Sequence, residues 1–385
     1  MDRRLLSLAV VPVLVLAGTA AAASTNPTSW AAPEIRAVTA AGLMGAKDVA
    51  SFRANDALTA QALENLAFAL QQRFTPPEEV RGLLPQPSDP APPVVTDPTQ
   101  PLPDTPAVQP APAQAPATAK QLASPNAPVT MAELDARLVS ALGLSSAAGE
   151  FAKGARAAGL KVPARFGTEV VARLLGLRFN HPASDDSLEL LPNDPATRAE
   201  AAYSAAQVLS FEGWEAPDVQ SLADAFALPE LSDWQKRILT NAVGRIGMPY
   251  IWGGSSDGPQ TLFGVSSRGG YDCSGFVWRV FKLQSYAGEG DLASVLRGRT
   301  TFEMSGEVPR SERIGFATLQ PADVIFFGDR GPRSKPSQVG HMGIYLGDGW
   351  FIHSSGYGVA LAPLDGWYRQ KFAWARRPLA EAGLS

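Results

Sequence analysis

Residues 75–128 carry no aromatic side chain, and prolines recur there in runs such as Pro90-Ala91-Pro92-Pro93 and Pro110-Ala111-Pro112. A stretch of that composition cannot bury enough apolar surface to offset the entropy of ordering it. It reads as a polyproline-II-like spacer, and with the spacer set apart the 385 residues are expected to form two or three folded units rather than one small core. On either side the composition is ordinary for globular protein, with 45% hydrophobic and 18% charged residues over the whole chain.

The N-terminus has a separate character. Arg3 and Arg4 precede an apolar run over residues 5–17 and a small-residue stretch over 19–23, the order found in a secretory signal peptide. The run is shorter than the roughly 20 residues of a spanning helix, and no later run is long enough. The expectation is that residues 1–23 are removed and the mature protein works in the cell envelope, periplasm or extracellular wall, without stable membrane insertion. A net charge of −4 argues against a nucleic-acid partner, because duplex affinity comes mainly from neutralising phosphates. The lone cysteine, Cys273, excludes an intramolecular disulfide and a CxxC metal cluster. An unpaired thiol is unusual in an exported chain, since oxidising compartments favour paired or absent cysteines.

Around the spacer the sequence repeats. Asn55-Asp56-Ala57-Leu58-Thr59, followed by Leu63, Leu66 and Leu70 at helical spacing, parallels Asn193-Asp194-Pro195-Ala196-Thr197, followed by Ala201, Ala205 and Val208. Thr197-Arg198-Ala199-Glu200 has the form of a capping box, and Thr130-Met131-Ala132-Glu133 offers a third such start. Ala40-Ala41-Gly42-Leu43 and Ala157-Ala158-Gly159-Leu160 read as helix ends with glycine near the C-cap. The period is thus helix, loop, capped helix. It resembles the S-layer homology (SLH) module, whose repeats end in a similar Thr-Arg-x-Glu helix start, carried best by residues 191–200. That resemblance implies small all-α modules at residues 24–74 and 129–236 and a secondary cell-wall polymer as partner. The alternative is a small helical domain with ordinary caps.

The chemistry concentrates in residues 237–385, which hold 16 Lys and Arg against 12 Asp and Glu. This weak positive balance suits an acidic polymer. Asp272-Cys273-Ser274-Gly275 stands where a turn signal, Gly269-Gly270, gives way to the helix-period run Phe276, Val277, Val280, Phe281. The cysteine is therefore expected at a helix N-terminus, where exposed amides lower a thiol pKa. Downstream, Asp323-Val324-Ile325-Phe326-Phe327 reads as a buried strand. The segments His341-Met342-Gly343-Ile344-Tyr345-Leu346 and Trp350-Phe351-Ile352-His353 read as a hairpin about Gly347-Asp348-Gly349. A cysteine facing two histidines makes a Cys-His nucleophilic site, with His341 taking the thiol proton and His353 orienting the first ring. The bland alternative is a buried free cysteine and two hairpin histidines. Side-chain parity separates hairpins that could build the site from those that could not. A plain two-residue turn puts the histidines on opposite faces, whereas a three-residue loop or an equivalent bulge puts them on one face. The second arrangement is expected, with both rings turned toward Cys273.

Four blocks in order resemble the NlpC/P60 family of papain-like cell-wall peptidases. They are Gly247-Met248-Pro249-Tyr250-Ile251-Trp252-Gly253-Gly254, Tyr271-Asp272-Cys273-Ser274-Gly275-Phe276-Val277, Leu319-Gln320-Pro321-Ala322-Asp323-Val324-Ile325-Phe326-Phe327 and Gly340-His341-Met342-Gly343-Ile344-Tyr345-Leu346-Gly347. The resemblance implies an α+β domain over residues 237–385, in which a helix bearing the nucleophile packs on an antiparallel sheet. It implies a hydrolase acting on peptidoglycan, typically at the γ-D-glutamyl–diamino acid bond, through a thioacyl enzyme and without metal or organic cofactor. By motif, Cys273 is the nucleophile, His341 the base, His353 the third polar group and Tyr250 the tyrosine beside the nucleophile. Trp252, Asp272, Ser274 and Arg333 are the expected substrate contacts. Two segments depart from the pattern, the longer 255–270 connection and the extra 328–339 loop with Arg330, Arg333 and Lys335. They either shape specificity or are solvated insertions. His181, ahead of Asp185-Asp186, lacks metal-ligand spacing. Two rival readings use the same residues, a wall-binding protein with an inactive peptidase domain and an amidase or acyltransferase. The spacer further suggests that residues 237–385 work alone and that the helical region serves retention.

Overall fold

The computed structural model describes residues 29–74, 119–180 and 188–384. The expected signal peptide, residues 75–118 of the spacer, and His181 with Asp185 and Asp186 lie outside the described residues.

The N-terminal part is helical: α1 (Ala32–Ala40), α2 (Ala60–Phe74), α3 (Met131–Ala141), α4 (Ser145–Ala157), α5 (Phe166–Leu174), α6 (Arg198–Leu209), α7 (Glu215–Asp224) and α8 (Asp233–Val243). The three repeated helix starts meet in a closed ring of backbone hydrogen bonds. Leu58 N–H donates to Ala196 O (2.7 Å), Ala196 N–H to Val129 O (2.8 Å) and Val129 N–H to Leu58 O (3.1 Å). Each extended segment runs directly into a helix, α2, α3 or α6, and Leu58, Val129 and Ala196 close the centre as buried side chains. The caps form as the spacing requires. Thr130 and Glu133 make a full capping box, and Thr197 accepts the Glu200 N–H. Glu200 departs from the expected pattern, since its carboxylate reaches the buried Arg178 at 3.3 Å. The tail of the expected spacer is also ordered, with Ala60 N–H bonded to Ala127 O and Gln61 N–H to Pro125 O. These bonds hold residues 119–128 against α2.

The C-terminal part contains two short hairpin-like pairs, β1 (Ser255–Ser256) with β4 (Gly270–Tyr271), and β2 (Gln260–Leu262) with β3 (Val265–Ser267). Next come α9 (Cys273–Trp278), α10 (Leu292–Val295) and α11 (Thr301–Gly306). The remaining elements are β5 (Val324–Gly328), β6 (Val339–Gly347), β7 (Trp350–Ser355), β8 (Gly358–Pro363), α12 (Gly366–Lys371), β9 (Phe372–Arg376) and α13 (Pro378–Glu381). The main sheet is antiparallel with strand order β8-β7-β6-β5-β9. Strand alternation gives it two dissimilar faces. Phe326, Met342, Ile344 and Ile352 join Phe276 and Val277 of α9 in the larger core, while Ile325, Phe327, Phe351 and Phe372 form a smaller cluster on the other side with Tyr345 and Tyr368.

The larger core is continuous from Ala31 to Leu379. Phe151 of α4 and Phe226 both meet Trp350 of β7 edge-on, with ring centroids 5.5 and 5.2 Å apart. Helix α8 runs through the domain boundary expected at residue 237. The helical region is therefore packed on the sheet-bearing part as one hydrophobic unit.

Candidate active site

Cys273 opens α9 because Asp272, in extended conformation, caps it. The Asp272 carboxylate accepts the Gly275 N–H, the Gly253 N–H (2.9 Å) and the Ser274 hydroxyl (2.9 Å). Arg299 locks this start to the turn preceding it. Its guanidinium donates to Ser274 Oγ (2.7 Å), Asp272 Oδ1 (3.2 Å) and the carbonyls of Gly253 (2.8 Å) and Gly254 (3.2 Å). Gly275 is demanded by that approach, since a Cβ there would stand 1.8 Å from Gly254 O.

The thiol environment departs from the sequence expectation. Burial pushes the Cys273 thiol pKa up, with the Asp272 charge adding to the rise. Three contacts pull the other way, the Thr301 hydroxyl and the backbone amides of Ser274 and Met342. The helix-start amides are present, but removing the sulfur from water outweighs them. Thr301, the first residue of α11, lies 3.4 Å from Sγ through its own hydroxyl.

The hairpin solves the parity problem with a bulge. Tyr345 pairs with Phe351 and Gly347 with Trp350, so one extra residue is inserted on β6 at Leu346. The turn itself has two residues, Asp348 and Gly349, both at positive φ (45° and 80°), the geometry of a type I′ hairpin. The outcome is the expected parity. His341 Nε2 and His353 Nδ1 lie 2.7 Å apart. Gly343 leaves the space between them, since a Cβ there would meet His353 Cβ at 3.1 Å. Both rings lie on the aromatic side of the sheet, His341 beside Phe327 and His353 beside Phe351 and Tyr368. Helix α9 packs on the other side, so the shared face is met but the expectation that both rings turn toward Cys273 is not, because β6 presents His341 and Met342 to opposite faces. The sulfur instead meets β6 at the Met342 amide, one residue beyond His341. Among the described residues its side-chain hydrogen bond runs to Thr301, and His341 spends Nε2 on His353, leaving Nδ1 as the nitrogen outside that pair. Burial lowers the His341 pKa to about 4 and depresses His353 well below its ordinary value, with His341 adding to the second shift. Both rings are therefore neutral near pH 7.

Tyr250 makes a bridge to Tyr271. Burial raises its hydroxyl pKa, as do the neighbouring Cys273 and Asp272. Trp252 is 73% exposed, and Arg333 is exposed in a short turn of the 328–339 loop. Asp272 and Ser274 are buried and engaged in the helix start, which gives them a structural task in place of the expected substrate contact. A cavity of about 480 Å³ opens beside His353, between Trp214 and Leu222 of the helical region and Tyr357, Ala360 and Tyr368 of the sheet-bearing part. Sequence reasoning did not find Arg299, Thr301 or Asn180, whose Oδ1 accepts the Tyr250 N–H at 2.6 Å. Only Thr301 had a local signal, the capping pattern Thr300-Thr301-Phe302-Glu303 that marks a helix start. Among the described residues no group of His, Cys, Asp and Glu could hold a metal ion.

Residues 247–377 match the NlpC/P60 family and form a domain of that family with the papain-like arrangement of helices on an antiparallel sheet. The probable endopeptidase Rv2190c of Mycobacterium tuberculosis is 30% identical over 130 residues, which are 33% of this chain and 26% of the relative. The probable peptidoglycan endopeptidase LytE of Bacillus subtilis is 29% identical, covering 37% of this chain and 34% of its own. The murein DD-endopeptidase MepH of Escherichia coli is 30% identical, with 43% and 53% covered. The matches thus span from about a quarter to about half of the relatives' length. The solved structure of the peptidoglycan hydrolase RipB from Mycobacterium tuberculosis is 26% identical at a TM-score of 0.29, covering 37% of this chain and 64% of that one.

Proposed function

We propose that this chain is an exported peptidoglycan hydrolase of the cell envelope, a cysteine endopeptidase that cuts stem peptides at the γ-D-glutamyl–diamino acid bond. The observation that carries the reading is the hydrogen-bonded His341–His353 pair on the strand whose next amide, that of Met342, meets the Cys273 sulfur. The resemblance of residues 247–377 to relatives named as peptidoglycan endopeptidases supports the substrate class.

In this reading Sγ leaves its Thr301 bond and comes within reach of His341 Nδ1, which accepts the thiol proton as Sγ attacks the stem carbonyl carbon, and the carbonyl electron pair moves onto oxygen near the Cys273 amide. The Nε2–H of the resulting imidazolium then makes a charge-assisted bond to His353 Nδ1. Collapse breaks the C–N bond, and the departing amine takes its proton from His341. A water molecule, with His341 again as base, hydrolyses the thioacyl enzyme to a carboxylate and the free thiol. Tyr250 stands beside the nucleophile, and Trp252 and Arg333 are the exposed groups available to the stem. The ring of helix starts at Leu58, Val129 and Ala196 supports the three-module, SLH-like reading of the helical region, with a secondary cell-wall polymer as its partner.

Mass spectrometry of muropeptides released from sacculi tests the bond. Products with a free diamino-acid amine and a D-glutamyl γ-carboxylate are expected. Release of intact stems would show an amidase. A second reading, a wall-binding protein without turnover, is favoured by the buried thiol and its Thr301 bond. Iodoacetamide labelling separates the two, since an active site alkylates and loses turnover together.

A further inference from the structure

We propose that Asn180, in the helical region, is a positioning residue for the catalytic centre, holding the Tyr250 segment and the end of the His353 strand in one geometry. The inference rests on the cysteine-peptidase reading. Its basis is a pair of bonds made by a single residue. Asn180 Oδ1 accepts the Tyr250 N–H at 2.6 Å, and Asn180 N–H donates to Gly356 O at 3.2 Å.

The two anchored points belong to opposite sides of the site. Tyr250 pairs with Tyr271, and the Ile251 N–H donates to Tyr271 O, so its position is tied to Asp272 and Cys273, the next residues along. Gly356 lies in the turn between β7 and β8, three residues beyond His353. Arg173 of α5 reinforces the same clamp, donating to Gly247 O (3.0 Å) on the Tyr250 side and to Tyr357 O on the His353 side. Pro249 has no N–H to hold its own segment, so the Tyr250 amide is the donor nearest the hydroxyl that a side chain can fix. A shift of about 1 Å in a reacting constellation costs up to about a hundredfold in rate, which is the scale on which such a clamp acts.

The test uses the full chain with Asn180→Ala and Asn180→Asp, assayed for kcat and KM on a soluble stem peptide beside Tm. The expected result is that N180A lowers kcat about tenfold or more with KM little changed. N180D, which keeps the acceptor oxygen, is expected to stay within about threefold of wild type. If N180A unfolds at the assay temperature, Asn180→Ser, too short to reach the Tyr250 amide, takes its place with the same expectation. A folded N180A or N180S with unchanged kcat overturns the proposal, as does a folded N180D that falls as far as N180A. Cys273→Ala is run alongside. If it is inactive while N180A is normal, only the positioning role fails. If it turns over, the cysteine reading fails and takes this role with it.

Discussion

His341, half-buried, and His353, buried, share one short hydrogen bond, and their removal from water sets the acidity on which catalysis depends. A base must be neutral to accept a proton, and burial holds the His341 pKa down at about 4. The acid limb of kcat/KM, which reports the free enzyme's base, is accordingly expected near pH 4, with full activity by pH 6. A limb near the ordinary histidine value of about 6.5 would show a solvated ring and an open site. The thiol is shifted in the other direction, upward, so the resting pair is a neutral thiol and a neutral imidazole in place of an ion pair. This was not legible in the sequence. Asp272-Cys273-Ser274-Gly275 announces a helix start and its amides, but the covering of the sulfur by Thr301 and β6 comes from residues 28 or more positions away.

At the level of elements, two local patterns were readable and one assembly was not. The Asp272 cap and the β6–β7 hairpin follow from their own residues, and the need for both histidines on one face correctly demanded an odd residue, which the Leu346 bulge supplies. Arg299 carried no such pattern. It joins the Gly253-Gly254 turn to α9 through four acceptors, and only the folded chain brings it there. The tight seat of α9 on that turn makes Gly275→Ala a sharp probe. With no room for a Cβ against Gly254 O, the variant is expected to lose about 1–3 kcal/mol, read from denaturant unfolding, and to lose activity as Cys273 is displaced. A Gly275→Ala protein of unchanged stability would mean that α9 does not approach the turn this closely.

For the whole molecule, the composition of residues 75–128 suggested two independent parts, whereas the described residues share one larger core, and a charge cluster buried in the helical region reaches the sheet-bearing part through Arg173, which donates to Gly247 O and Tyr357 O. Arg173 and Arg178 are surrounded by Asp135, Glu169, Glu189 and Glu200, all buried. Among the described residues neither oxygen of Asp135 has a hydrogen-bond partner, the Arg178 guanidinium standing 3.6 Å away. Burial raises its pKa to about 8 against the pull of Arg178. The folded chain then keeps a proton that the unfolded chain releases near the ordinary carboxylate value of about 3.9. Stability is therefore expected to fall as pH rises from about 4 to about 8 and to level off above. Asp135→Asn, which mimics the protonated form, is expected to flatten that slope in Tm measured across the same range. An unchanged slope would place the titration elsewhere. The spacer pattern misled about independence because contacts such as Phe151 on Trp350 join residues far apart in sequence, and no local composition reports them.

The claim on which the rest depends is that Cys273 is the nucleophile, and the most direct measurement is muropeptide release from sacculi by the full chain and by Cys273→Ala at matched circular dichroism. Complete loss of release is expected in the variant, because Ala preserves the helix start while removing the only thiol in the chain. Release continuing at a comparable rate from a natively folded Cys273→Ala protein would contradict it.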